Sequence, residues 1–228
     1  KYFMDTVELI EEKFIAKATT SISGSQSVLE ALLAENVTTI FGYPGGAIMP
    51  IYDVLYSYRN QLNHILVRHE QGAIHAAQGF ARTSGDVGVV FATSGPGATN
   101  LVTGLADAMI DSTPVVCITG QVFAHLLGTD AFQETDVINI TTPVTKWNYQ
   151  VTDATEIPSV LAKAFYIAKS GRPGPVLIDI TKNAQLQIFD YEGYQKCDHI
   201  RSYRPAPIAR KKYVVEAAKL INESEKPF

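Results

Sequence analysis

The sequence predicts an α/β fold, a doubly wound and mostly parallel sheet with helices on both faces. Two observations predict it. Short β-branched, apolar runs recur along the chain up to Ile180, and stretches with apolar residues at helical spacing stand between most of them. Such alternation implies crossover connections, and strands that read as continuous apolar runs imply a sheet covered on both sides.

Taken in order, a helix is expected over Ser27 to Glu35, a strand over Thr38 to Phe41 and a helix over Ala47 to Tyr58. The strand His64 to Val67 then runs straight into a helix over Glu70 to Ser84. That helix carries the small residues Gly72, Ala73, Ala76, Ala77 and Gly79, which let another backbone pack closely. A strand over Val87 to Ala92, a helix over Ala98 to Ile110 and a strand over Pro114 to Thr119 follow. The strand Trp147 to Val151, the helix Thr155 to Ser170 and the strand Pro175 to Ile180 complete the set. Beyond Ile180 the regularity fails: Gln185 to Pro207, rich in Tyr, Asp, Arg and Pro, reads as a linker, and a new helix starts near Ala209. The expected organisation is an N-terminal extension over 1–24, one domain over 25–184, a linker over 185–207 and the opening of a second domain over 208–228, cut short, so that the chain reads as a fragment.

Composition sets the class. With 228 residues, 46% hydrophobic and 18% charged, the chain can bury a full core. A formal charge of −4 gives no field to gather nucleic acid or anionic lipid. No apolar run approaches the roughly 18 residues that cross a bilayer, and Lys1 to Lys17 mixes Glu and Lys into its apolar residues, unlike a signal peptide. The reading is a cytoplasmic chain without nucleic-acid or membrane partners. Cys117 and Cys197 lie too far apart in sequence to suggest a disulfide framework or metal spacing, and Cys117, inside an apolar run, reads as a core residue.

Three glycine-bearing turns follow predicted strands: Gly42-Tyr43-Pro44-Gly45-Gly46-Ala47, Thr93-Ser94-Gly95-Pro96-Gly97-Ala98-Thr99-Asn100 and Thr119-Gly120-Gln121. An open α/β sheet places its ligand crevice at that edge, and glycine lets backbone approach a ligand. Singly, each is ordinary turn chemistry, and none matches a phosphate-binding glycine pattern. A fourth turn places Glu70 in the first turn of a helix at the same edge. Burial would raise its pKa and the helix N-terminus would lower it; alone, an acidic residue in a first turn is more often simply a partner of the helix dipole. Asp107 and Asp111, and the trio His64, His69 and His75, lack metal-ligand spacing, and the expectation is no metal site in this chain.

Five motifs occur together in order: Tyr43-Pro-Gly-Gly-Ala47, Arg68-His-Glu-Gln-Gly-Ala73, Thr93-Ser-Gly-Pro-Gly-Ala-Thr-Asn100, Gly128-Thr-Asp-Ala-Phe-Gln-Glu134 and Gly171-Arg-Pro-Gly-Pro-Val176. Over about Ser25 to Gln185 the chain closely resembles the acetohydroxyacid (acetolactate) synthase family, in which this fold is the pyrimidine-binding domain of a thiamine-diphosphate enzyme. The resemblance implies that Glu70 hydrogen-bonds the cofactor's pyrimidine ring, favouring the imino tautomer that deprotonates the thiazolium carbon. Thr93, Pro96, Asn100 and Gln133 would contact the pyrimidine side of the cofactor, with Tyr43, Pro44, Gly45 and Gly46 beside it. Gly46, Ala47, Ser112 and Phe132 would belong to the substrate channel, Lys146 and Lys182 to its mouth, and Arg172 to an FAD contact. The implied reaction decarboxylates pyruvate and joins the product to pyruvate or 2-oxobutyrate, in a homodimer with a possible regulatory small subunit. Pyruvate oxidase, pyruvate decarboxylase, the catabolic FAD-free acetolactate synthase and a non-catalytic dimerisation module of this fold remain alternatives. The chain departs from the family after Gln121, reading Val122-Phe123-Ala124-His125 where relatives have Val-Pro and a basic residue. The family's Gly-Asp-Gly segment for diphosphate and Mg²⁺ is not matched, since Gly85-Asp86-Val87 lacks the second glycine. By this resemblance the Mg²⁺ site and most of the FAD site lie outside the chain, and the fragment alone is inactive.

Overall fold

All six expected strands form one parallel sheet in the computed structural model, which describes residues 20–205 and 209–226. Residues 1–19 of the expected N-terminal extension lie outside the described residues, as do 206–208 and 227–228. The elements run β1 (Thr20–Ser23), α1 (Gly24–Ala34), β2 (Thr39–Gly42), α2 (Met49–Leu55), β3 (Asn63–Leu66), α3 (Glu70–Ser84) and β4 (Gly88–Ala92). They continue with α4 (Pro96–Thr99), α5 (Val102–Ile110), β5 (Val115–Gln121), α6 (Val137–Thr141), β6 (Trp147–Val151), α7 (Ile157–Lys169), β7 (Pro175–Thr181), α8 (Lys182–Leu186), β8 (Ile188–Tyr191) and α9 (Lys211–Glu223).

Strand order in the large sheet is β3-β2-β4-β5-β7-β6, every pairing parallel. One face packs Leu29, Leu32, Ile51, Leu161 and Phe165 of α1, α2 and α7 against Val89, Phe91, Ile118 and Ile178. The other packs Ile74, Ala77, Leu101 and Leu105 against Val90, Val115, Cys117 and Leu177. Consecutive residues of one strand thus enter opposite cores, as the pleat requires, which explains why these strands read as unbroken apolar runs rather than alternating ones. Cys117 is a fully buried core residue, as expected.

Two expectations need correction. The helix expected over Ala98 to Ile110 starts earlier, at Pro96, and breaks at Asn100 and Leu101 into α4 and α5; proline is well suited to a first helical position. The segment read as a linker from Gln185 begins with regular structure. Within it β8 pairs antiparallel with β1, Thr20 opposite Tyr191 and Ser23 opposite Ile188. Tyr194 and Tyr203 further along pack against the domain core, the Tyr194 hydroxyl donating to Glu35 Oε1 at 2.9 Å.

Where α3 crosses the sheet, Gly88 admits it: a Cβ on Gly88 would stand 2.4 Å from the Ala77 carbonyl oxygen. Gly79, exposed on the same helix, has nothing within 4 Å of such a Cβ. Gly88→Ala should therefore cost about 1–3 kcal/mol, whereas Gly79→Ala should gain about 0.5–1 kcal/mol from helix propensity. Chemical denaturation of both variants checks the pair, and a loss at Gly79 would reveal another backbone packed on that face.

Candidate active site

Strands β2 and β4 are neighbours, yet their chains leave the C-terminal edge toward opposite faces, β2 into α2 on the first core and β4 into α4 and α5 on the second. This is the switch point at which an open α/β sheet forms its crevice. Two of the glycine turns meet there: a Cβ on Gly45 would lie 2.5 Å from Thr93 Cβ, and the Ala47 amide donates to Thr93 Oγ1 at 3.2 Å. Only glycine at 45 permits that approach.

Glu70 opens α3 at the same edge. His69 caps the helix, its Nδ1 accepting from the Gln71 amide at 3.1 Å, which fixes the turn that carries Glu70. The Glu70 side chain is only 6% exposed. Its Oε2 accepts from Asn100 Nδ2 at 2.9 Å, and Asn100 stands at the break between α4 and α5. Gly97 makes room for the carboxylate, since a Cβ there would lie 3.2 Å from Glu70 Oε1 and 2.8 Å from Thr93 Cγ2. Among the described residues Oε1 takes no hydrogen bond. A buried, rigid carboxylate with one oxygen tied to the protein and the other uncommitted suits the orientation of a ring nitrogen or amino group of a flat ligand. Nearby Tyr52 was not anticipated: burial first, and the charge of Glu70 second, push its phenol up. Its hydroxyl lies 3.1 Å from His64 Nε2, and burial pulls that imidazole down.

Beside this crevice opens a pocket of about 230 Å³ that brings together Gly46, Ala47, Phe132, Gln133 and Lys182 with Phe123. Phe132 is 87% exposed, and Gln133 holds a left-handed backbone with φ 60°. The Gln133 carbonyl oxygen packs on Gly95, where a Cβ would come within 2.6 Å of it. Lys182 places its ammonium 6.0 Å from the ring of Phe123, one of the residues that departs from the family pattern. Tyr43 and Pro44 flank the crevice on the β2 turn, and Pro96 starts α4.

Three expected site residues lie elsewhere. Ser112, Lys146 and Arg172 precede β5, β6 and β7, so they sit at the N-terminal edge of the sheet, across its full width from Glu70. Arg172 Nε donates to Ser112 Oγ at 2.7 Å, and its Nη2 donates to the carbonyls of Met109 at 3.2 Å and Ile110 at 2.6 Å. It closes the C-terminus of α5, where a cation is favourable. Lys146 does the same for α7, its Nζ donating to the carbonyls of Ile167 and Ser170. Within this chain, therefore, Ser112 shares no channel with Gly46, and Lys146 does not stand beside Lys182.

The acidic and histidine clusters are accounted for locally. Asp111 pairs with Arg82 at 2.7 Å and Asp107 faces His75 at 3.8 Å. Among the described residues no three His, Cys, Asp or Glu side chains gather as a metal site, and no helix is long and apolar enough to cross a membrane. Sequence reading also missed Asp179, fully buried on β7, whose carboxyl is pushed up by burial against the opposing pull of donors from Thr119, Gln150 and Gln121. Its signal was present: an acid inside an apolar strand run must find donors.

Comparison with known proteins agrees with this geometry. Residues 22–140, more than half of the chain, match the family described as thiamine pyrophosphate enzyme, N-terminal TPP binding domain. The acetolactate synthase large subunit of Corynebacterium glutamicum is 52% identical over 206 residues, 90% of this chain and 33% of that protein. That of Pyropia yezoensis is 49% identical over 209 residues, 90% of this chain and 35% of its own length. The probable acetolactate synthase large subunit of Methanocaldococcus jannaschii is 51% identical over 209 residues, again 90% and 35%. The chain spans about a third of the length of these relatives. A match of this extent, falling on the switch-point turns and on the helix that Glu70 opens, means that the chain belongs to the thiamine pyrophosphate enzymes and carries their N-terminal cofactor-binding domain.

Proposed function

We propose that this chain is the pyrimidine-binding part of an acetolactate synthase, a cytoplasmic enzyme that decarboxylates pyruvate and joins the product to pyruvate or 2-oxobutyrate. The observation that carries the reading is the Glu70 carboxylate, buried at the switch point with Oε2 held by Asn100 and Oε1 uncommitted. Thiamine diphosphate, when bound, supplies the nucleophilic carbon that attacks a 2-oxo acid. The protein's part is to hold a proton at one ring nitrogen of that cofactor. Glu70 does so from Oε1, and the Asn100 hydrogen bond keeps the carboxyl from rotating away. Thr93, Pro96 and Gln133 bound the ring, and Tyr43, Pro44, Gly45 and Gly46 supply backbone beside it. Gly46, Ala47 and Phe132 form the wall that a small 2-oxo acid meets, and Lys182, the cation of that pocket, attracts its carboxylate.

Mg²⁺ and the cofactor's diphosphate fall, on this reading, to a part of the protein beyond the described domain. The exposed face of α3, with Gly72, His75, Ala76 and Gly79, suits close pairing with a second copy. Arg172 completes an FAD contact with Nη1, the guanidinium nitrogen that α5 and Ser112 do not engage.

Full-length protein supplied with pyruvate, thiamine diphosphate, Mg²⁺ and FAD should form acetolactate, and Glu70→Gln should lower the rate about a hundredfold to ten-thousandfold. Asn100→Ala should fall by less, about tenfold to a hundredfold, the worth of one hydrogen bond to a charged group. Acetaldehyde or acetyl phosphate as product would move the protein to a sister enzyme, and unchanged activity in Glu70→Gln would remove that residue from the mechanism. Arg172→Ala should lower both the flavin content of the purified protein and its thermal stability. Loss of stability alone would leave Arg172 only its helix-capping role.

A further inference from the structure

Asp179 lies fully buried under the pocket loop, and none of the ion pairs among the described residues involves it. Its register explains its partners: Thr119 on β5 and Gln150 on β6 stand directly opposite it across the sheet. Thr119 Oγ1 donates to Oδ1 at 2.6 Å. Gln150 Nε2 at 3.0 Å and Gln121 Nε2 at 3.1 Å both donate to Oδ2. The Gln121 amide then has no freedom left. Its second Nε2 hydrogen goes to the Thr135 carbonyl at 3.0 Å, and its Oε1 accepts from the Val122 amide at 2.9 Å. Flipping the amide would set its oxygen against both the Asp179 carboxylate and the Thr135 carbonyl while leaving the Val122 donor facing an NH₂. Thr135 lies in the loop that carries Phe132 and Gln133 into the pocket, and its carbonyl also accepts from the Val137 amide at 2.8 Å, where α6 begins.

We propose that Asp179 is a positioning residue: by fixing the orientation of the Gln121 amide, it ties the loop 128–136 to the sheet and sets where Phe132 and Gln133 stand at the pocket. The inference rests on the functional reading above only for what the pocket is for. The tether itself is a property of the folded chain. The oxygen that faces the glutamines must be an acceptor, because two NH₂ groups that can only donate converge on it. Leucine, of similar shape, removes that acceptor, whereas asparagine can keep Oδ1 on the glutamines and give its NH₂ to Thr119, whose hydroxyl then accepts.

The test is hydrogen–deuterium exchange on the full-length protein without ligands, comparing Asp179→Leu, Gln121→Leu and the double variant. Both single variants should speed exchange of the Glu134 and Val137 amides roughly tenfold or more, with amides of β4 and β5 unchanged. The double variant should exchange no faster than the faster single one, because both substitutions remove the same bridge. Should Asp179→Leu fail to fold, Gln121→Leu decides alone. Unchanged loop exchange in Gln121→Leu overturns the proposal, as do multiplying effects in the double variant or faster exchange confined to the sheet. In an active enzyme Gln121→Leu should raise KM for the 2-oxo acid more than it lowers kcat. Absence of any acetolactate from the wild type would count against the functional reading, while exchange still judges the tether.

Discussion

The contact between the Gly45 turn and Thr93 is the constraint on which the site depends. Neighbouring parallel strands lie about 4.8 Å apart, and at their C-terminal ends two turns heading for opposite faces must clear each other before they diverge. A side chain at position 45 would collide with Thr93, and one at position 97 would crowd both Thr93 and the Glu70 carboxylate. The glycines therefore act by letting three chain segments close on one point. Glu70 becomes buried inside a single chain as a result, with Asn100, among the described residues, as its one polar support.

Polar groups in this half of the sheet are arranged by the same economy of donors and acceptors. Asp179 gathers three donors where no cation of the described residues reaches it, and Gln121 spends every hydrogen and its oxygen on fixed partners. At the opposite edge the cations Arg172 and Lys146 serve helix termini, each taking carbonyls that a helix end cannot satisfy itself. The candidate site lies at one edge of the sheet and the cations that close helix C-termini at the other, although residues of both edges alternate along the chain.

That alternation explains what could be read from the sequence. The inner strands β2, β4, β5 and β7 were legible because they are buried on both faces and so read as apolar runs, whereas the edge strands β3 and β6 are partly exposed and showed only as short runs between helices. Glu70 to Ser84 was legible to the residue, since His69 caps it and Gly85 ends it in a left-handed conformation, φ 82°. β1 and β8 were not, being four-residue edge strands with mixed polarity. The break at Asn100 was hidden because apolar spacing continues through it. Of the residues assigned by family resemblance, Glu70, Asn100 and Thr93 gather at one crevice, and Gly46, Ala47, Phe132, Gln133 and Lys182 at the pocket beside it. Ser112, Lys146 and Arg172 do not join them. Position along the chain held that distinction: a residue just ahead of a parallel strand lies at the sheet's far edge from one just behind it. Asp179 escaped notice because strand runs are scanned for apolar content, and a single acid reads as noise until its cross-strand neighbours are known.

The short β1–β8 ladder also decides how the domain bears mechanical load. Thr20 and Tyr191 face each other at one end of it, about 5 Å apart, and beyond Tyr191 the chain stays on the domain through Tyr194 and Tyr203. Tension applied between these points does not shear the large sheet. It opens the ladder one pair at a time, like a zip, and next reaches the Gly24 amide on Gln187 and the Ser25 hydroxyl on Gln185. A pull from beyond Tyr203 must first free the Tyr203 and Tyr194 hydroxyls from Ser170 and Glu35, so it is met at a hem before it reaches the cloth of the large sheet.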